Sequence, residues 1–199
     1  AVNAYDFTVY LGAGDGTYAR QPVNYIGNDN VEAALIDFTR DGKSDLVLLA
    51  NMGDAVFTFA GNGNGTFGPT PIEALQYAPI GAAGVGDFNG DGKLDLGIGR
   101  VDTSEVSVVL GHGDGTFSPE TKIPGGVGPM AVRVADFDAD GNMDIAEAVL
   151  NWPYASPSPV PPGTLLLSKG NGDGTFAVPV PYTLGPYPLR MSMADFNGD

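Results

Sequence analysis

Short apolar runs alternate with Gly-, Asn- and Asp-rich punctuation along the whole chain. Residues 45–50 (DLVLLA), 106–110 (VSVVL), 131–135 (AVRVA) and 164–168 (TLLLS) are about five residues long and rich in Val and Leu, which is the character of strands. No segment sustains a 3.6-residue apolar period over a helical length. The longest apolar stretch, Leu46 to Ala60, is broken by Asp54 and falls short of the roughly 18 residues of a membrane-spanning helix. The pattern predicts an all-β protein of short strands joined by tight turns.

The punctuation is periodic. One segment reads GAGDGTY from Gly12, GNGNGTF from Gly61, GHGDGTF from Gly111 and GNGDGTF from Gly170. A second reads DFTRDGKSD from Asp37, DFNGDGKLD from Asp87, DFDADGNMD from Asp136, and begins again as DFNGD at Asp195. Both series share a period of about 50 residues, and each period fits about four strands. That is the size of one β-propeller blade. The repeats run approximately 1–27 (partial), 28–77, 78–126, 127–185 and 186–199 (partial), in a single segment of one fold. A first strand ends at the acidic segment, a second starts from its last Asp, a third ends at the glycine turn, and a fourth follows the aromatic residue. The glycines are expected to supply positive φ in the turn. In the third full unit, an insertion near Trp152 to Gly163 (WPYASPSPVPPG) lengthens the distance between the two segments.

The acidic segments place Asp at position 1, Thr, Asn or Asp at 3, Asp at 5, Gly at 6 and Asp at 9. Oxygen ligands on alternate residues can converge on one cation where the backbone turns sharply, and an all-oxygen set of this size suits Ca²⁺. The side-chain sets are Asp37, Thr39, Asp41 and Asp45; Asp87, Asn89, Asp91 and Asp95; and Asp136, Asp138, Asp140 and Asp144. Asp195, Asn197 and Asp199 begin a fourth. Position 7 adds a backbone carbonyl from Lys43, Lys93 or Asn142. The first loop, with Thr39 and Arg40, is expected to bind most weakly, and the third, with four carboxylates, most tightly. An EF-hand would need Glu at position 12. Leu48, Ile98 and Glu147 stand there, and the flanks are strand-like. The GxGxG turns lead into Thr and an aromatic residue instead of a helix, so they are not read as phosphate loops.

Composition narrows the function. The net charge is −15, which argues against nucleic acid and anionic membranes as partners. Half of the 24 acidic residues lie in the acidic loops, so much of that charge is local ligand charge. With no Cys and a single His, disulfides, thiol chemistry and His-based metal or catalytic sites have nothing to build on. His112 sits in a glycine turn and is read as an exposed substitution. Glu32, Glu73, Glu105, Glu120 and Glu147 look scattered, so no catalytic residue is assigned. Arg133 and Arg190 receive no role.

The run from Asp87 to Asp95 followed by Val106 to Phe117 (VSVVLGHGDGTF) resembles the FG-GAP/VCBS repeat family, in its bacterial VCBS-type spelling. The resemblance covers essentially the whole chain. It implies a β-propeller, commonly seven-bladed, with one Ca²⁺ in the hairpin between the first and second strands of each blade. Seven blades at this period would need about 350 residues, so the chain is expected to be part of a longer protein. Open blade edges would otherwise favour self-association. The resemblance further implies an extracellular, secreted or cell-surface binding or adhesion module for a protein or carbohydrate ligand. That ligand would lie on the face opposite the calcium loops, where Trp152, Tyr154 and Tyr187 are candidate contacts. The alternatives are a propeller in a secreted polysaccharide-degrading enzyme, and a structural spacer or assembly element.

Overall fold

The computed structural model describes residues 6–7, 9–21, 24–25, 30–50, 55–69, 71–76, 80–101, 103–151, 161–188 and 190–194. Among them there are strands and turns but no helix. Trp152, Tyr154, Asp195, Asn197 and Asp199 lie outside the described residues. The chain separates into two compact units, 1–77 with 112–116, and 78–111 with 117–199.

In the first unit, β1 (Asp6–Phe7) pairs with β4 (Asn24–Tyr25), and β2 (Tyr10–Gly12) with β3 (Tyr18–Arg20). Next come β5 (Asn30–Ile36), β6 (Asp45–Ala50), β7 (Ala55–Phe59) and β8 (Glu73–Gln76), an antiparallel meander in sequence order. Among the described residues, Leu46, Leu48 and Phe59 form one core cluster of this unit, against which Phe57 and Phe67 pack. The Thr58 hydroxyl, fully buried, donates to the Gly115 carbonyl at 2.9 Å, which ties the turn 112–116 into this unit.

The second unit holds two more meanders of the same order. One is β9 (Ile80–Gly86), β10 (Asp95–Arg100), β11 (Glu105–Val109) and β12 (Thr121–Pro124). The other is β13 (Pro129–Ala135), β14 (Asp144–Val149), β15 (Thr164–Ser168) and β16 (Val180–Thr183). Each is a four-stranded antiparallel blade of a β-propeller fold. The second strand is the most deeply buried: every residue of β10 and of β14 is shut from solvent.

The two blades of this unit fit together by pairing small residues with large ones. On β9 and β10, Gly84, Gly86, Gly97 and Gly99 leave room for Val132 and Val134 of β13 and for Ile145 and Glu147 of β14; Pro129 also packs on Gly99. A Cβ at Gly97 would meet Ile145 Cδ1 at 3.0 Å. Phe88 packs edge-on against Phe176 with ring centroids 5.2 Å apart. These residues join Ala82, Val106, Val108 and Ile123 in one core.

Candidate functional site: the acidic loops

In all three full blades, the acidic loop joins the first strand to the second, and position 9 is the first residue of the second strand (Asp45, Asp95, Asp144). Position 1 winds the loop. Asp37 accepts the amides of Asp41 (3.1 Å) and Gly42 (2.9 Å). Asp87 does the same for Asp91 and Gly92, and Asp136 for Asp140 and Gly141. Position 5 accepts the amide of position 7 in each loop, at 2.8–2.9 Å. Position 6 glycines have φ of 81°, 79° and 91°. Position 4 is left-handed as well: Arg40 at 59°, Gly90 at 70° and Ala139 at 61°. That second requirement is missing from the sequence reading. The glycine of the second loop was its one signal.

The position-9 carboxylate is buried, at 0–1% exposure in each blade, and both its oxygens are engaged. Asp95 Oδ2 accepts the Phe88 amide (2.7 Å), and Oδ1 accepts the amide of Gly111, the first glycine of the turn (2.7 Å). Asp144 repeats this with Phe137 and Gly170, and Asp45 with Thr39 and Gly61. In the first loop, the amide of Thr39 at position 3 donates to Asp45 Oδ2 at 2.8 Å. Burial pushes the Asp95 carboxyl up, Asp87 and Asp91 add to that, and the two amides oppose it.

The turn glycines need correcting in one respect. The second and third have positive φ (Gly63 and Gly65, Gly113 and Gly115, Gly172 and Gly174), as expected. The first serves close approach: a Cβ at Gly61, Gly111 or Gly170 would fall on the carbonyl oxygen of Ser44, Leu94 or Met143, the residue just before the position-9 Asp. Within the turns, Asp15, Asn64, Asp114 and Asp173 each accept both the amide and the hydroxyl of the Thr two residues on. His112 is exposed, and its amide donates to the Thr116 carbonyl.

The donor set fits a hard cation. In the third loop, carboxylate oxygens of Asp136, Asp138 and Asp144 lie within 4.8 Å of one another. In the first, Thr39 Oγ1 is shut from solvent with no hydrogen-bond partner at bonding distance, although it is close enough to help lower the Asp41 pKa. An orphaned oxygen beside clustered carboxylates is the chemistry an oxygen-seeking ion would satisfy. Asp37, Thr39, Asp41 and Asp45, their equivalents in the other loops, and the position-7 carbonyls are the groups that would hold it, and the ion would supply charge compensation. Lysines also reach these carboxylates. Lys43 Nζ is 2.8 Å from Asp41 Oδ2, Lys93 Nζ is 2.8 Å from Asp91 Oδ2, and Lys169 Nζ bonds Asp138 Oδ2. Asp41, Asp91 and Asp138 are held below the usual carboxylate range, chiefly by these bonds.

At the other end of the third full blade, Asn151 Nδ2 donates to Pro162 O and Thr164 Oγ1, which closes the base of the insertion. Gly163 and Leu184 exchange backbone bonds with neighbours across this base, and Pro188 packs on Gly163. Tyr187 is therefore near the base of the insertion, 47% exposed, with φ of 59°. Two of the five glutamates come together around one cation. Glu105 and Glu120 converge on Lys122 (3.4 and 3.8 Å), and Glu120 also takes Arg100 (3.4 Å) and the Ser107 hydroxyl (2.6 Å). Glu147 is buried in the interblade core. Arg133 braces the strand ends, donating to the carbonyls of Met191 and Val132.

No curated protein sequence matches the chain. Among solved structures, it is similar to an Agrocybe aegerita lectin described for specific recognition of non-reducing terminal N-acetylglucosamine. The identity is 19% and the TM-score 0.49, over 95% of this chain and 61% of the lectin. The chain thus spans about three-fifths of that protein's length. The model of the FG-GAP-like repeat matches twice, over residues 37–98 and 87–146, each match running from one acidic loop into the next. The chain belongs to the FG-GAP-like repeat family.

Proposed function

We propose that this is a calcium-stabilised binding module that works outside the cytosol and presents a protein or carbohydrate ligand-binding face at the blade ends opposite the acidic loops. FG-GAP-like repeats in propeller blades support a binding module. The observation that carries the calcium reading is the three-fold recurrence of one oxygen set at one place in the blade, with Asp136, Asp138 and Asp144 drawn together in the third loop. Carboxylates this close repel one another, so an ion that binds the folded loop stabilises the fold by mass action. Millimolar free calcium, as found outside cells, matches loops of this modest charge. Tyr187, exposed beside the insertion, supports a ligand surface at the opposite end.

Melting the protein with Ca²⁺, with Mg²⁺ and with a chelator tests the metal, together with ion counting by native mass spectrometry. A calcium-specific rise in melting temperature, with about one ion per complete loop, is expected. No rise and no bound calcium would remove the metal from the proposal. A glycan and protein-ligand screen then separates binding without turnover from hydrolysis.

A further inference from the structure

The chain's lysines are Lys43, Lys93, Lys122 and Lys169, and three of the four touch an acidic loop. In the first two loops the lysine is at position 7 and folds back on the position-5 carboxylate of its own loop. The third loop has Asn142 at position 7, which carries no charge. There the ammonium arrives from the residue after β15, 31 positions along the chain from its partner, and bonds Asp138 at position 3. The residues equivalent to Lys169 in the other two blades are Ala60 and Leu110. A lysine thus stands before the glycine turn only in the full blade whose loop lacks one, and every complete loop receives one ammonium by one route or the other.

We propose that Lys43, Lys93 and Lys169 are built-in counter-ions of the acidic loops that set their calcium affinity. This rests on the calcium reading above. An ammonium on a ligand oxygen neutralises part of the loop charge when no ion is bound, and it opposes an incoming cation through both repulsion and competition for that oxygen. The lysines are partly exposed, at 45%, 32% and 51%, so the effect is modest and weakens as salt screens it. Loops balanced in this way stay folded without calcium and respond to it in a higher concentration range.

Calcium alone is the probe, titrated calorimetrically into the whole chain at low salt. In the triple variant Lys43→Met, Lys93→Met, Lys169→Met, affinity is expected to tighten about three- to ten-fold, with a lower melting temperature in chelator. The triple Lys→Arg variant, which keeps the charges, stays close to wild type in affinity. Calcium affinity that is unchanged or weaker in the methionine variant overturns the proposal. Should that variant not fold in chelator, Lys169→Met alone gives the same readout on the third loop. Wild-type protein that binds no calcium by heat or mass overturns the calcium reading and this proposal together. Binding by wild type with unaltered affinity in the variants overturns the counter-ion role alone.

Discussion

Glu147 Oε2 accepts the Gly126 amide at 2.8 Å from inside the core between two blades, where Oε1 has no hydrogen-bond partner among the described residues. The equivalent residues of the other full blades are Leu48 and Ile98, both buried. Glu147 is 1% exposed, and burial pushes its carboxyl up to about 7, which the Gly126 bond offsets only in part. On the packed surfaces, β10 offers Gly97 and Gly99, with Asp95 at the far end held by its two amides; β11 offers Val106 and Val108, β13 Val132 and Val134, and β15 Leu166. No cation faces it among the described residues. A carboxyl whose pKa is raised in the folded state binds its proton more tightly there than in the unfolded chain. Its contribution is therefore full below the unfolded value near 4.5 and is lost as pH rises through about 7. Wild-type stability should fall by about 3 kcal/mol from this group between those limits. Glu147→Gln should flatten that part of the profile, as read from urea midpoints at pH 5 and pH 8.

The buried position-9 carboxylates should matter to the fold whether or not metal is bound. Asp95→Ala strands the amides of Phe88 and Gly111, at a cost of about 1–3 kcal/mol each. Equilibrium unfolding in chelator measures it. A variant as stable as wild type under those conditions would show that this bridge between loop and turn contributes nothing.

Left-handed backbone at position 4 gives a paired expectation. Gly90→Ala should cost about 1 kcal/mol, because Ala must enter the region that Gly90 occupies freely. Ala139→Gly should recover a fraction of that in the third loop. The space around Gly90 is open, so a loss there reports backbone strain and not a clash. Thermal melts of the two single variants decide it.

The interblade glycines should fail for the opposite reason. A Cβ at Gly86 runs into Val134, which cannot move freely because it packs in the same core. Gly86→Ala should destabilise by about 1–3 kcal/mol, as overpacking does. The double variant with Val134→Ala should regain part of the loss. Full additivity of the two losses in a mutant cycle would sink the idea of direct contact.

The acidic loops were legible in the sequence because their geometry is local. Nine residues contain the winding Asp, the glycine and every side-chain oxygen, so spacing alone carries the pattern. The strand that starts at the last Asp and the turn ahead of the fourth strand follow in the same way, from runs bounded by glycine. The pairing of Asp144 with Gly170 is another matter. They are 26 residues apart, and only the antiparallel register of β14 on β15 brings the start of one strand beside the end of the other. Lys169 reaches Asp138 through the same register. Nor could Glu147 be read as buried from composition, since nothing local distinguishes it from Glu105, which is half-buried beside Lys122. The repeat, the blade and the oxygen pattern are legible along the chain because each depends on residues close together in it. Which carboxylates are buried, which lysine meets which loop and why the first turn glycine cannot carry a side chain all depend on a neighbour that strand pairing or blade packing supplies, and so emerge only in the folded chain.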